Sequence, residues 1–226
     1  MTVLKVGIIG CGGIARGKHF PSLAQVKEVE MVAFCDIVLE RAEEAQEQYG
    51  TADSQVFSDY KEMLAAMDLD VVHVCTPNIS HAEISIAALE AGNHVMCEKP
   101  MAKTTAEARE MIEVAKRTGK KLTIGYQNRF ATESRYLQEV CAAGELGEIY
   151  SAKAHAIRRR AVPTWGVFLD EEAQGGGPLI DIGTHALDLT LWLLDDYQPK
   201  YVVGKTYHEL AKTENAANAW GPRDPA

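Results

Sequence analysis

A glycine-rich segment near the amino terminus has the residue types needed to bind phosphate groups. Residues 10–15 read Gly-Cys-Gly-Gly-Ile-Ala after a short apolar run, which matches the pattern G-x-G-x-x-G/A. The first glycine permits a tight turn, the second lets the backbone approach a pyrophosphate, and the small last residue allows a helix to pack closely on a strand. The free N–H groups at the start of that helix would bind the phosphates. The candidate residues are Gly10, Gly12, Gly13 and Ile14.

An acidic side chain, Asp36, ends the second predicted strand about 20 residues after the glycine pattern. A carboxylate at that position accepts hydrogen bonds from the ribose hydroxyl groups of a dinucleotide. Because it would repel the extra phosphate of NADP, Asp36 favours NAD, although the nearby Arg41 leaves use of both cofactors open. Alternatively, Asp36 only caps the helix that begins near Val38.

Two polar loops follow the fourth and fifth predicted strands. In an open parallel sheet, ligands bind outside the carboxyl ends of the strands, so these loops should line the same crevice as the glycine turn. Lys99 comes directly after a buried strand, a position that is costly for a lysine without partners. The candidate residues of the two loops are Thr76, Pro77, Asn78, His81, Glu98 and Lys99.

A third polar cluster lies in an apolar segment that begins with three glycines, residues 175–177. Pro178 suits a first helical turn, and the i, i+4 spacing of Asp181 and His185 places a carboxylate and an imidazole on one helix face, with Asp188 a turn further on. Two other interpretations are a buried histidine with ordinary hydrogen bonds and a metal site. No second cluster of ligands supports a metal, so none is predicted.

The elements that must position these residues alternate between strand and helix from Lys5 to Tyr126, which is typical of βαβ units. The predicted strands are short and continuously apolar, as in a parallel sheet covered on both faces. We therefore predict an α/β protein whose residues 1–125 form a doubly wound Rossmann domain. The six strands are expected at residues 6–9, 31–34, 55–57, 71–74, 94–97 and 122–125.

A different pattern begins after Tyr126, where a helix over 133–143, a strand over 148–158, an apolar helix over 178–194 and a strand over 200–207 are predicted. Residues 126–226 are expected to form an incomplete α+β domain, the start of an open antiparallel sheet. Two strands and one apolar helix would leave much apolar surface uncovered.

Composition excludes several classes of protein. The formal net charge of -9 disfavours a nucleic-acid binder, which needs lysine and arginine to neutralise phosphates. The first residues lack the basic and apolar regions of a signal peptide, and no apolar run of about 18 residues occurs, so neither export nor membrane insertion is predicted. Five cysteines without a C-x-x-C pair indicate packing residues and a cytoplasmic location rather than a disulfide framework.

Four of these motifs occur in the order typical of the glucose-fructose oxidoreductase/inositol dehydrogenase (Gfo/Idh/MocA) family, which the chain resembles over about residues 3–208. They are the glycine pattern at residues 10–15, Thr76-Pro77-Asn78 with His81, Glu98-Lys99-Pro100, and residues 175–185. The resemblance implies NAD-dependent oxidation of a secondary alcohol on a sugar or cyclitol, with NADP the less favoured cofactor. It implies that Lys99, Asp181 and His185 face the nicotinamide and the reacting carbinol. His185 would take the hydroxyl proton, Asp181 would orient the group, and Lys99 would hold the oxygen.

The same resemblance implies further substrate-binding residues, Arg158 and Trp165, with Asn128 and Arg129 as weaker candidates. It also implies assembly into a homo-oligomer. Because members of the family usually exceed 300 residues, the chain is expected to be truncated. The rival hypotheses are a non-catalytic NAD(P)-binding sensor or regulator of the same fold and reduction of a non-sugar carbonyl or imine.

Overall fold

The computed structural model describes residues 3–157, 163 and 166–207. The chain divides into a first compact unit, Met1–Gly125, and a second, Tyr126–Ala226. All strands of the described residues lie in the first unit.

Six parallel strands form one sheet in the described part of the first unit. Their bounds are β1 Leu4–Ile9, β2 Val29–Cys35, β3 Gln55–Phe57, β4 Val71–Val74, β5 His94–Cys97 and β6 Leu122–Ile124. Their spatial order is β3-β2-β1-β4-β5-β6. The chain thus winds outward from β1 twice, first through β2 to β3 and then through β4 and β5 to β6, which confirms the predicted Rossmann arrangement.

The register of the sheet brings five strand ends to one level. Ile9 is paired with both Cys35 and Val74. Val74 is paired with Cys97, which is in turn paired with Ile124. The residues that leave this edge of the sheet are Gly10, Asp36, Cys75, Glu98 and Gly125.

The helices of the described residues also follow the predicted alternation. In the first unit they are α1 Phe20–Leu23, α2 Leu39–Tyr49, α3 Tyr60–Ala66, α4 His81–Glu90 and α5 Thr105–Thr118. A π-helical turn, Ala15–His19, precedes α1, and a 3-10 turn, Asn78–Ser80, precedes α4. None of the described helices is long and apolar enough to cross a membrane.

Local sequence signals account for the ends of two helices. Thr104 and Glu107 form a capping box at the start of α5, and Gly119 ends that helix with a φ of 67°. Asp59 is the N-cap of α3, and its carboxylate accepts a hydrogen bond from the Lys61 N–H at 2.7 Å.

Two hydrophobic clusters cover the two faces of the sheet. Ile8 and Phe34 belong to one cluster, whereas their neighbours Ile9, Ala33 and Cys35 belong to the other. Successive side chains of a strand point to opposite faces, so both faces are buried, as the continuously apolar strands predicted. Burial also raises the pKa of the Cys11, Cys35 and Cys97 thiols to about 12, consistent with a packing role.

The second unit is helical in its described residues. It contains a 3-10 turn Gln127–Phe130, the helices α6 Thr132–Ala142 and α7 Glu171–Gln174, a π-helical turn Leu179–Gly183, and the helix α8 Thr184–Leu194. The strands predicted over 148–158 and 200–207 are not formed in the described residues 148–157 and 200–207. A strand needs a partner for its backbone N–H and C=O groups, and neither described segment is paired with another.

Candidate active site

The glycine turn after β1 brings the backbone close to a neighbouring strand. Gly10 has a φ of +93°, and a Cβ there would lie 2.7 Å from the backbone of Cys75. Only glycine fits such a position. In contrast, a Cβ at Gly12 or Gly13 would meet nothing within 4 Å, so the space beside these two residues is open. This combination leaves room for a ligand against the backbone, while Ile14 is exposed and Ala15 is fully buried.

Asp36 connects the glycine turn to the chain before α2. One of its carboxylate oxygens accepts the Cys11 N–H at 2.8 Å and the other accepts the Val38 N–H at 2.9 Å. Each oxygen retains a second lone pair for a ribose hydroxyl. The alternative role as a helix cap is not what the structure shows, because the N-cap of α2 is Val38.

His81 links the loops that follow β4 and β5. Its ring is 1% exposed, with Nδ1 at 2.7 Å from the Pro100 carbonyl oxygen and Nε2 at 2.8 Å from that of Thr76. Burial lowers the pKa of His81, although these two contacts oppose that effect. Both ring nitrogens face the protein backbone, so His81 holds the two loops together. Within the first of these loops, Pro77 is exposed and Asn78 begins a 3-10 turn.

The backbone of Lys99 is hydrogen-bonded to the side chain of the preceding residue. Its N–H donates to Glu98 Oε2 at 3.2 Å. Burial alone would raise the pKa of Glu98, but the hydrogen bond and charge of His19 and the proximity of Lys99 outweigh burial and lower that pKa. No local sequence pattern singles out His19, because it is 79 residues from Glu98 in the chain and contacts it only in the folded protein.

The Asp181–His185 pair lies in the second unit, on consecutive helical turns. Asp181 belongs to the π-helical turn and is partly buried, whereas His185 is in α8 and is 7% exposed. The Tyr126 and His185 rings are nearly perpendicular, with their centroids 6.1 Å apart. Single π-helical turns within α-helices frequently occur at functional sites.

Asp188, one turn beyond His185, has a structural partner. Its carboxylate accepts two hydrogen bonds from the Arg129 guanidinium, one of them at 2.8 Å. The same guanidinium lies over the Trp192 ring at 5.6 Å, and its bonds to Asp188 raise the pKa of Arg129. Arg129 is thus paired with Asp188 within the second unit, and its role as a substrate ligand stays a prediction.

The predicted site residues fall into two sets. The first unit contains the glycine turn, Asp36, the loop after β4 with Thr76, and Glu98–Lys99. The second unit contains Asp181 and His185. Arg158 and Trp165, with Arg159 and Arg160, lie outside the described residues.

Comparison with known protein families gives two matches. The profile described as "Oxidoreductase family, NAD-binding Rossmann fold" matches residues 4–126. The profile described as "GFO/IDH/MocA C-terminal domain" matches residues 134–220.

Similar proteins include D-glucoside 3-dehydrogenase of Escherichia coli, 44% identical over 99% of this chain and 63% of that protein. Inositol 2-dehydrogenase of Salmonella typhimurium is 32% identical over 86% of this chain and 56% of its own length. Among solved structures, myo-inositol 2-dehydrogenase from Lactobacillus plantarum has a TM-score of 0.76 at 27% identity, covering 86% of this chain and 57% of that one. WlbA dehydrogenase from Bordetella pertussis, in complex with NADH and UDP-GlcNAcA, has a TM-score of 0.78 at 25% identity, covering 85% and 56%. The chain therefore spans less than two thirds of each of these relatives.

Proposed function

The chain belongs to the GFO/IDH/MocA oxidoreductase family, and we propose that it moves a hydride between a nicotinamide cofactor and a secondary alcohol of a sugar or cyclitol. The observation that carries this proposal is the common edge at which β1, β2 and β5 end. The glycine turn, Asp36 and Glu98–Lys99 all leave the sheet there.

The residues at this edge fit a dinucleotide. Gly12 and Gly13 have open space beside the backbone for a pyrophosphate, and the carboxylate of Asp36 is held in place for a ribose. The negative charge of Asp36 favours NAD over NADP. When bound, the nicotinamide supplies the hydride acceptor, and the protein supplies alignment and charge.

The remaining roles concern the proton and the alcohol oxygen. In alcohol oxidation, His185 takes the hydroxyl proton, Asp181 orients the alcohol, and Lys99 holds its oxygen. An imidazole has an intrinsic pKa near 6.5, which suits proton exchange near neutral pH. Arg158 and Trp165 are proposed to bind other groups of the substrate.

For the substrate, we favour the ring hydroxyl groups of glucosides over those of other polyols. The support is that the relative at 44% identity is named D-glucoside 3-dehydrogenase, whereas inositol 2-dehydrogenase is 32% identical.

We further propose that the protein forms homo-oligomers through its second unit, where Tyr201, Val202 and Val203 are each more than 80% exposed. Light scattering of the full-length protein measures that assembly, and a monomeric mass would exclude it.

Turnover is tested with the full-length protein, NAD or NADP, and a panel of D-glucosides, cyclitols and aldoses. Formation of reduced nicotinamide is followed by its ultraviolet absorbance, and we expect the highest kcat/KM with NAD and a glucoside. Binding of NAD without turnover of any compound in the panel would favour the regulator instead.

In the same assay, His185→Ala tests the role of the imidazole. Loss of a general base should lower kcat by about 100-fold or more, with NAD affinity nearly unchanged. An equal loss of both would exclude His185 as the proton acceptor.

A further inference from the structure

Three titratable side chains form a cluster behind Lys99 that the proposed chemistry does not use. They are His19, at the end of the π-helical turn, His73, in β4, and Glu98, and are termed here the His–Glu cluster. His19 Nε2 lies 2.9 Å from Glu98 Oε1, and His19 Nδ1 lies 2.9 Å from His73 Nδ1. The side chains of His19 and Glu98 are only 6% and 10% exposed.

Two members of the His–Glu cluster, Glu98 and His73, have a defined charge at neutral pH. The lowered pKa of Glu98 keeps its carboxylate ionised at neutral pH, so it accepts from His19 Nε2–H. Burial, with a smaller effect of His19, lowers the pKa of His73 to about 4, so His73 is neutral. Each nitrogen of a neutral imidazole either carries N–H or has a lone pair, so His73 Nδ1 can donate a hydrogen bond to His19 Nδ1 or accept one from it, depending on the tautomer.

The carboxylate of Glu98 is also confined from the other side. A Cβ at Gly125, directly after β6, would lie 3.1 Å from Glu98 Oε1 and 3.3 Å from Oε2. The absence of a side chain at Gly125 leaves the carboxylate room against the backbone. Glu98 is thus held between the end of β6 and His19, with its second oxygen accepting the Lys99 N–H.

We propose that His19, itself held by His73, is a positioning residue that fixes Lys99 through the carboxylate of Glu98. The π-helical turn that ends at His19 begins at the glycine turn, directly after Ile14. The His–Glu cluster therefore connects the segment that would bind the cofactor phosphates to the lysine that would hold the substrate oxygen. The kinetic part of this inference rests on the proposed function.

Two substitutions at His19 separate its two contacts. The side-chain amide of Gln reaches about as far as Nε2 of histidine. His19→Gln therefore keeps a donor for the Glu98 carboxylate and loses the hydrogen bond to His73. The side-chain amide of Asn reaches about as far as Nδ1 of histidine. His19→Asn therefore keeps a hydrogen-bond partner for His73 and loses the hydrogen bond to the Glu98 carboxylate. We expect His19→Asn to lower kcat by about 10-fold or more and His19→Gln by less than about 3-fold, because small displacements of a reacting group are costly.

In the full-length protein, the KM for NAD should change by less than about 3-fold in both variants, since the residues that bind the cofactor are untouched. His94→Asn is the matched control. His94 is the first residue of β5, at the end of that strand opposite to Glu98, and its Nδ1 accepts the Lys121 N–H at 2.9 Å. This variant should keep the wild-type kcat. Equal loss of kcat in the Asn and Gln variants, or none in either, would overturn the positioning role.

A second measurement does not depend on turnover. Hydrogen exchange of the Lys99 amide, followed by NMR, should be about 10-fold faster in His19→Asn than in wild type and near wild type in His19→Gln. Unchanged exchange in His19→Asn would refute the inference even in an active enzyme. If wild type turned over no substrate, the proposed function would fail while this measurement still decided the role of His19.

Discussion

At the scale of single residues, Asp36 shows how one carboxylate serves both the fold and the ligand. Its two oxygens accept N–H groups from Cys11 and Val38, which places the glycine turn and the chain before α2 at fixed distances from it. The remaining lone pairs and the negative charge are the features that would select a ribose over a phosphate.

Asp36→Asn removes this charge and replaces one acceptor by a donor while keeping the size of the side chain. We expect the KM for NAD to rise by about 10-fold or more and the preference for NAD over NADP to fall by a similar factor, because hydrogen bonds to charged groups contribute about 1.5–3 kcal/mol. Steady-state kinetics with both cofactors measures these changes.

Asp70→Asn is the control for that substitution. The Asp70 carboxylate also accepts a backbone N–H, that of Lys5, at 2.8 Å, but at the opposite edge of the sheet. Its replacement should leave cofactor preference unchanged. An unaltered preference in Asp36→Asn would exclude Asp36 as the selective residue.

At the scale of elements, α8 is fixed by a side chain from the 3-10 turn Gln127–Phe130. Arg129 forms two hydrogen bonds to Asp188 and lies over Trp192, so its planar guanidinium makes both contacts at once. His185 lies on the same helix, one turn before Asp188. The pair therefore helps to hold the helix that carries the proposed proton acceptor.

A double-mutant cycle of Arg129→Met and Asp188→Asn should give a coupling energy of about 1–3 kcal/mol in chemical denaturation, because Asp188 is largely buried and accepts two charged hydrogen bonds. Arg129→Lys should lose most of this stabilisation, since an ammonium group cannot form the same pair of bonds. The exposed Arg117–Glu90 pair is the control and should couple by less than about 1 kcal/mol. Additive effects at Arg129 and Asp188 would contradict the anchoring role.

The elements also show which parts of the structure the sequence could predict. Apolar runs between turn signals located β4 and β5 to the residue, because a strand covered on both faces has a distinct local pattern. β3 was also located to the residue, although Gln55 is exposed and Val56 and Phe57 are only partly buried. The predicted strand over 148–158 is not formed in its described residues, since strand formation depends on a partner elsewhere in the chain. His19 and His73 were missed for a related reason. Their contact depends on how the π-helical turn packs against β4, which no local spacing encodes.

At the scale of the whole molecule, the residues for cofactor binding and for proton transfer are divided between two units. Asp36 and Lys99 belong to the first, and Asp181 and His185 belong to the second. The proposed reaction therefore needs both units. The stability of the first unit should also respond to pH, because its His–Glu cluster contains an imidazole that folding keeps neutral.

His73 makes the folded protein sensitive to mild acid. Its pKa is lowered from 6.5 to about 4, so between these values only the unfolded chain binds a proton there. Unfolding then takes up a proton, and stability falls as the pH falls through this window. One pKa unit corresponds to about 1.4 kcal/mol, so His73 should account for a loss of about 2 kcal/mol between pH 7.5 and pH 5, most of it below pH 6.5.

His73→Val tests this origin, because valine occupies the neighbouring positions 71, 72 and 74 of β4 and suits a buried strand. Chemical denaturation between pH 7.5 and pH 5 should show a shallower loss of stability in His73→Val than in wild type, by about 2 kcal/mol over that range. The pKa of the buried His81 is also lowered, so His81 decreases the stability of both proteins as the pH falls. Because this decrease is the same in wild type and His73→Val, it cancels in the comparison. Because the comparison uses the change with pH within each protein, any difference in their stability at neutral pH does not enter. Parallel pH profiles would show that the acid sensitivity does not arise at His73.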